Sequence, residues 1–98
     1  MATTYTLTTW RVKPGQDDEF VRRWADWIAW SHGQGLGANA RLLRDVEQPG
    51  TFISFGPWAS LDVVRRWRSD PEYHVRVARM YEVVESFEPR TLELSAER

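Results

Sequence analysis

The chain has 98 residues, formal net charge −1 and no cysteine. That is enough for one domain around one core. The absence of a basic excess argues against nucleic acid as the main partner. Without cysteine there are no disulfides, thiol nucleophiles, Cys–zinc sites or Cys-ligated clusters. The opening MATTYTLTTWRV lacks the basic start, long apolar stretch and small-residue cleavage site of a secretory signal. No apolar run approaches the roughly 20 residues of a membrane helix, so no membrane partner is expected and a cytoplasmic location is the default. Two biases stand out: six tryptophans, and twelve arginines against one lysine. The arginine bias is read as genome composition.

Thr4 to Val12 is rich in threonine, β-branched and aromatic residues, which predicts a strand closed by Lys13-Pro14-Gly15. Asp17, Asp18 and Glu19 suit the first turn of a helix, where the macrodipole is positive. Phe20, Trp24, Trp27, Ile28 and Ser31 then recur at helical spacing, so an amphipathic helix of about four turns is expected. It should end before Gly33, Gly35 and Gly37. Asn39 to Glu47 and Thr51 to Trp58 read as two strands, joined as a hairpin through Gln48-Pro49-Gly50. Ala59-Ser60-Leu61-Asp62 opens a short helix reaching about Arg68. Asp70 can cap a second helical piece, with Pro71 at its first position. Tyr73, Val77, Met80, Tyr81 and Val84 form its apolar stripe. Pro89 ends the region, and Arg90 to Ser95 is a last short strand.

The order β-α-β-β-α-β predicts one ferredoxin-like α+β domain spanning residues 1–98, with a four-stranded antiparallel sheet and both helices on one face. The uncovered face should then be polar. Instead, Phe52 and Trp58 share one parity of their strand while Ile53 and Phe55 share the other. The first strand likewise puts Leu7 on one side and Trp10 and Val12 on the other. Both faces ask for cover, and a second copy of the chain is expected to supply it, as a homodimer closing an α/β barrel; the alternative is a monomer with an unusually apolar sheet.

Most motifs carry no chemistry. Gly33-Gln34-Gly35-Leu36-Gly37 follows a helix and opens a strand, the reverse of a dinucleotide fingerprint, and reads as a connector. His32 and His74 are the only histidines and share no metal-binding spacing. His74 still follows Tyr73 at a helix start, where it could act as acid, base or hydrogen-bond donor. No acidic pair or nucleophile context supports a hydrolase. The segment Trp67-Arg68-Ser69-Asp70-Pro71-Glu72-Tyr73 places an indole N–H and a phenol O–H near one bend. Each offers an apolar body with one polar handle. It reads either as core packing at a helix junction or as the wall of a ligand site.

Taken whole, WRVKPGQDDEFVRRW, FISFGPWASLDVVRRWRSDPEY and SFEPRTLEL resemble the antibiotic biosynthesis monooxygenase family, over roughly residues 4–95. The resemblance implies a dimeric α/β barrel with an internal cavity. It also implies oxidation of an anthrone- or hydroquinone-type aromatic or polyketide-like substrate with O₂, using neither metal nor cofactor. It assigns Trp67 and Tyr73, six positions apart, as catalytic groups. Trp10, Phe55, His74 and Arg90 would bind substrate, Arg90 being the nearest match to a late arginine of the family. The family's asparagine four positions before the tryptophan is here Val63. Haem-degrading relatives use a first-strand asparagine and a histidine ligand, where this chain has Thr8-Thr9 and Val77, so haem is not expected. A second reading is a non-catalytic dimeric barrel that binds a small apolar metabolite. A third is a dimer whose cavity is filled by its own aromatic side chains.

Overall fold

A computed structural model describes residues 3–98. Strand β1 (Thr4–Val12) leads through Lys13-Pro14-Gly15 into helix α1 (Asp17–Gly33). Strands β2 (Arg41–Arg44) and β3 (Thr51–Trp58) come next, then helices α2 (Leu61–Ser69) and α3 (Pro71–Met80), and strand β4 (Val84–Glu93). The sheet is antiparallel in the order β2-β3-β1-β4, the ferredoxin-like arrangement expected, with its second helix broken in two. The break has a local cause. The Asp70 carboxylate accepts from the Glu72 amide at 2.8 Å, and Pro71 occupies the first turn of α3. Ser60 caps α2 in the same way, accepting from the Val63 amide at 3.2 Å.

Three boundaries differ from the sequence reading. The second strand runs only over Arg41–Arg44, not Asn39 to Glu47. Asn39 takes a left-handed backbone at φ 72°, and Asp45 turns the chain by accepting from the Glu47 and Gln48 amides. Helix α3 stops at Met80, so Tyr81 and Val84 leave the helical stripe. The last strand starts at Val84, not Arg90, and runs straight through Pro89. Among the described residues β4 pairs only with β1 and is an edge, where a proline forfeits no ladder bond on its open side.

The helices cover the sheet face that carries Thr6, Trp10 and Val12 of β1 and Phe52, Ser54 and Trp58 of β3, all buried. The core has two lobes. One joins Trp10, Val12, Phe20, Phe52, Met80, Val83 and Val84. The other joins Trp27, Leu36, Trp58, Val64, Trp67 and Tyr73. Trp24 packs against both. Gly56 lets the α1–β2 connection lie on the sheet, because a Cβ there would stand 2.9 Å from Leu36 Cδ1 and 3.2 Å from Ala40 Cβ. The other sheet face carries Tyr5, Leu7, Ile53 and Phe55, half-buried, with no helix over them. Leu43 and Leu92, at its two edges, are 52% and 42% exposed. Among the described residues no helix is long and apolar enough to cross a membrane.

Candidate functional site

The bend between α2 and α3 sets Trp67 and Tyr73 against each other, edge to face, with ring centres 4.8 Å apart. One helical turn separates Val64 from Trp67, so both fall on the buried side of α2. Tyr73 lies in the first turn of α3, which the Asp70 cap aims back toward the sheet. Trp58 closes the cluster from below at 4.6 Å from Trp67. Trp27 of α1 flanks it, 5.6 Å from Trp67 and 5.2 Å from Tyr73. Offset and edge-on aromatic contacts of this kind add to what area burial alone contributes.

Three indole N–H groups in this interior are each answered by a hydroxyl. Trp67 donates to Ser31 Oγ at 3.2 Å, and Ser31 passes its own proton to the Trp27 carbonyl at 2.8 Å. Trp58 donates to Thr6 Oγ1 at 2.8 Å and Trp10 to Ser54 Oγ at 2.9 Å. Hydroxyls of Ser31 on α1 and of Thr6 and Ser54 on the sheet thus satisfy donors that would otherwise be orphaned in an apolar core. Between them lies a void of about 20 Å³, lined by Thr6, Thr8, Ser31, Ser54, Trp58 and Trp67 among others. It has room and polar partners for one water molecule. Within one chain the space beside Trp67 is thus narrow, because the surrounding aromatic rings occupy most of the interior.

Burial holds the Tyr73 phenol above its usual pKa, and the nearby Arg68 charge offsets part of that rise. At neutral pH Tyr73 is therefore a neutral phenol and not a phenolate. Because the folded-state pKa is the higher one, its stabilising effect is complete below pH 10 and is lost as pH rises toward the folded value. Urea midpoints should therefore fall above pH 10 in the wild type, and Tyr73→Phe should remove that component of the slope. An unchanged slope in the variant would contradict the assignment.

Arg68 lies against this cluster, and the sequence reading did not single it out. Its guanidinium lies over the Trp67 ring, 5.8 Å from its centre, and donates to Thr91 Oγ1 and to the Arg90 carbonyl at 3.4 Å. Its Nε is buried with no partner among the described residues. In the run RRWRSD nothing separates it from the solvated Arg65 and Arg66 except its position relative to Trp67.

The other assigned residues are dispersed. Trp10 belongs to the neighbouring core lobe, stacked on Phe87 at 5.4 Å. Phe55 pairs with Leu7, and Arg90 pairs with Leu7 from the opposite side, so both residues share Leu7's face of the sheet, away from the helices. Within one chain, the backbone of Arg90 reaches the Trp67 cluster through Arg68, while its side chain is exposed on the other face. His74 is exposed, with its ring 5.6 Å from that of Tyr73. Val63 packs into the Trp67 lobe and abuts Gly35, where a Cβ would come within 2.5 Å of Val63 Cγ1. Among the described residues no three His, Asp or Glu side chains gather as a metal site requires.

A ferredoxin-like domain with an aromatic interior at a helix bend defines a class of small α+β proteins. Residues 4–79 match the profile of the antibiotic biosynthesis monooxygenase family, and the chain belongs to that family. Among solved structures it is similar to SnoaB from Streptomyces nogalater, described as a cofactor-independent oxygenase. That match is at 17% identity and a TM-score of 0.81, over 100% of this chain and 96% of that one. It is also similar to a Pseudomonas aeruginosa protein (16% identity, TM-score 0.76, 98% and 97% covered). A conserved protein of Methanosarcina mazei Go1 matches at 13% identity and a TM-score of 0.78, with 94% and 92% covered. At these identities the likeness is one of fold. No curated protein matches the chain closely enough to count as a relative.

Proposed function

We propose that this protein is a monooxygenase that oxidises a small aromatic, anthrone- or hydroquinone-type substrate with O₂ at the Trp67–Tyr73 cluster. The observation that carries the reading is the packed Trp67–Tyr73 pair over hydroxyl-lined space, with the Arg68 cation alongside. The family supplies the reaction class. In it, the activated CH₂ of an anthrone, or of the keto tautomer of a hydroquinone, loses a proton. The anion passes one electron to O₂, the substrate radical and superoxide combine to a peroxide, and loss of water leaves a carbonyl. Each turn consumes one O₂ and releases one water. The protein's part is to hold the ring, stabilise the oxyanion and exclude solvent. Tyr73 is a neutral donor for that oxyanion. Trp67 donates if it exchanges Ser31 for the substrate oxygen. Arg68 supplies the positive charge. The 20 Å³ void is far smaller than an ordinary ligand pocket, so binding requires the aromatic rings to move apart.

Oxygen uptake with a panel of hydroxyanthrones and hydroquinones tests this. Wild type should exceed background autoxidation. Tyr73→Phe and Arg68→Met should each lower kcat by about 10²-fold, the usual cost of one oxyanion donor. Rates equal to autoxidation, or variants equal to wild type, would refute the catalytic reading. A second reading, a binding protein for a small apolar metabolite, is favoured by Val63 in the asparagine's place and by indole donors already satisfied within the chain. It expects saturable ligand binding with no oxygen uptake.

A further inference from the structure

Trp27 has two sides. One faces the interior void beside Trp67; the other is part of the wall of a groove of about 400 Å³ between α1 and α3. This groove is about twenty times larger than the void and lies in the size range of small-molecule sites. Its apolar surface comes from Trp27 and Met80, both buried among their neighbours yet reaching the groove. Its rim carries four arginines and three carboxylates, and Asp26, like Arg79, enters no ion pair among the described residues.

The charges are not equivalent. At one end Glu19 accepts from Arg22 and Arg23, and Arg23 also pairs with Glu82 at 2.7 Å. Arg23 further donates to the Arg79 carbonyl at 2.9 Å and so ties α1 to the end of α3. That network neutralises itself. The hydrogen bonds from both arginines hold the Glu19 carboxyl below its usual pKa, so it stays ionised near neutrality. Arg76 pairs with Glu72 at 2.8 Å, outside the groove, and lies 5.1 Å from the centre of the Trp30 ring. Arg79 enters none of the ion pairs among the described residues, and its side chain is exposed on the groove wall.

We propose that the α1–α3 groove binds an aromatic carboxylate, with its ring on Trp27 and Met80 and its carboxylate on Arg79. A planar ring matches the indole and thioether surfaces. A carboxylate matches the Arg79 guanidinium fork, which pairs with no acidic side chain among the described residues. Trp27 touches both Trp67 and Tyr73, so a ligand held there stands one ring away from the cluster proposed as the reaction site. The inference deepens the oxygenase reading by naming the substrate class: the groove holds the substrate behind Trp27, and reaction at the cluster requires that ring to move aside. It rests on that reading only for the chemistry after binding.

Calorimetry on the full chain separates the two. The probes are 1-hydroxy-2-naphthoate and the uncharged 1-naphthol. The naphthoate should bind at least about tenfold more tightly than the naphthol, and Arg79→Gln should abolish that advantage. Arg66→Gln, an exposed arginine on α2 away from the groove, should leave it intact. Equal affinities for the two probes, an unaffected Arg79→Gln, or an equal loss in Arg66→Gln would each overturn the proposal. Tight naphthoate binding with no oxygen uptake on any substrate would uphold the groove and sink the oxygenase. Oxygen uptake with no naphthoate preference would do the reverse.

Discussion

Phe20→Ala is expected to lower stability by about 3–5 kcal/mol. Phe20 is 0% exposed and reaches from α1 onto the two central strands, 5.4 Å from Trp10 and 5.1 Å from Phe52. Trp10 and Phe52 are themselves cross-strand partners in the β1–β3 ladder. The Phe20 ring therefore fills the space where helix and sheet meet, and alanine would leave a cavity that three different elements cannot close together. A domain of this size has a total stability of about 5–15 kcal/mol, so the loss is a large share of it. Urea unfolding should show a much lower midpoint with an unchanged slope, and Tm should fall by roughly 15 °C or more. Val46→Ala, at a position 90% exposed, should stay within about 0.5 kcal/mol of wild type. A Phe20→Ala midpoint near that of wild type would mean that α1 is not anchored as the structure shows.

How much of the fold the residue pattern revealed depends on how local each cause is. β1 was legible because threonine, aromatic and β-branched residues alternate for nine residues and then meet Pro14-Gly15. The α2–α3 break was legible because Asp70 and Pro71 are signals that act within two or three residues. The start of β4 was not. Tyr81, Val84 and Phe87 continue the apolar spacing of α3, and Pro89 looks like a terminator. Only the register of β4 against β1, a pairing about 80 residues apart in the chain, makes Val84 a strand residue and leaves Pro89 on an edge. The same non-local fact decides the site. Trp67 and Tyr73 were candidates because the resemblance to the family rests on their six-residue spacing, which is local; spacing alone read equally as core packing. Arg68, which the structure sets over the Trp67 ring, was not singled out, while Arg90 was, as the nearest match to a late arginine of the family. The choice depends on which face of β4 each position meets, and that in turn depends on register: Thr91 pairs with the buried Thr6, and Arg90 with Leu7 on the other face. Parity along β1 and β3 was readable without pairing, and it correctly put Leu7 and Phe55 opposite Trp10 and Phe52.

That second apolar face leads to the other large effect. We propose that it is covered by a second copy of the chain, and Phe55→Arg is then expected to convert a dimer into a folded monomer. Tyr5, Leu7, Phe55 and Leu92 surround a shallow, almost wholly apolar hollow of about 270 Å³, and Leu43 and Leu92 stand exposed at either side. Water facing such a surface is unfavourable by about 25 cal/mol for each Å² of apolar area, which a matching surface removes. In a two-fold interface every substitution occurs twice, so one guanidinium becomes two like charges buried near the axis with no acid to pair them. In the isolated chain Phe55 is only half-buried on the uncovered side, so arginine there can reach water and the fold survives. Sedimentation equilibrium reads the outcome directly: a dimer for wild type and a monomer with native circular dichroism for the variant. A wild-type chain that sediments as a monomer at micromolar concentration would remove the need for a partner. The exposed leucines would then be an ordinary feature of a small surface rather than half of an interface. A dimer that persists in Phe55→Arg would place the interface elsewhere. The helix layer would then be its remaining apolar surface, and a partner there would cover the Trp27 groove.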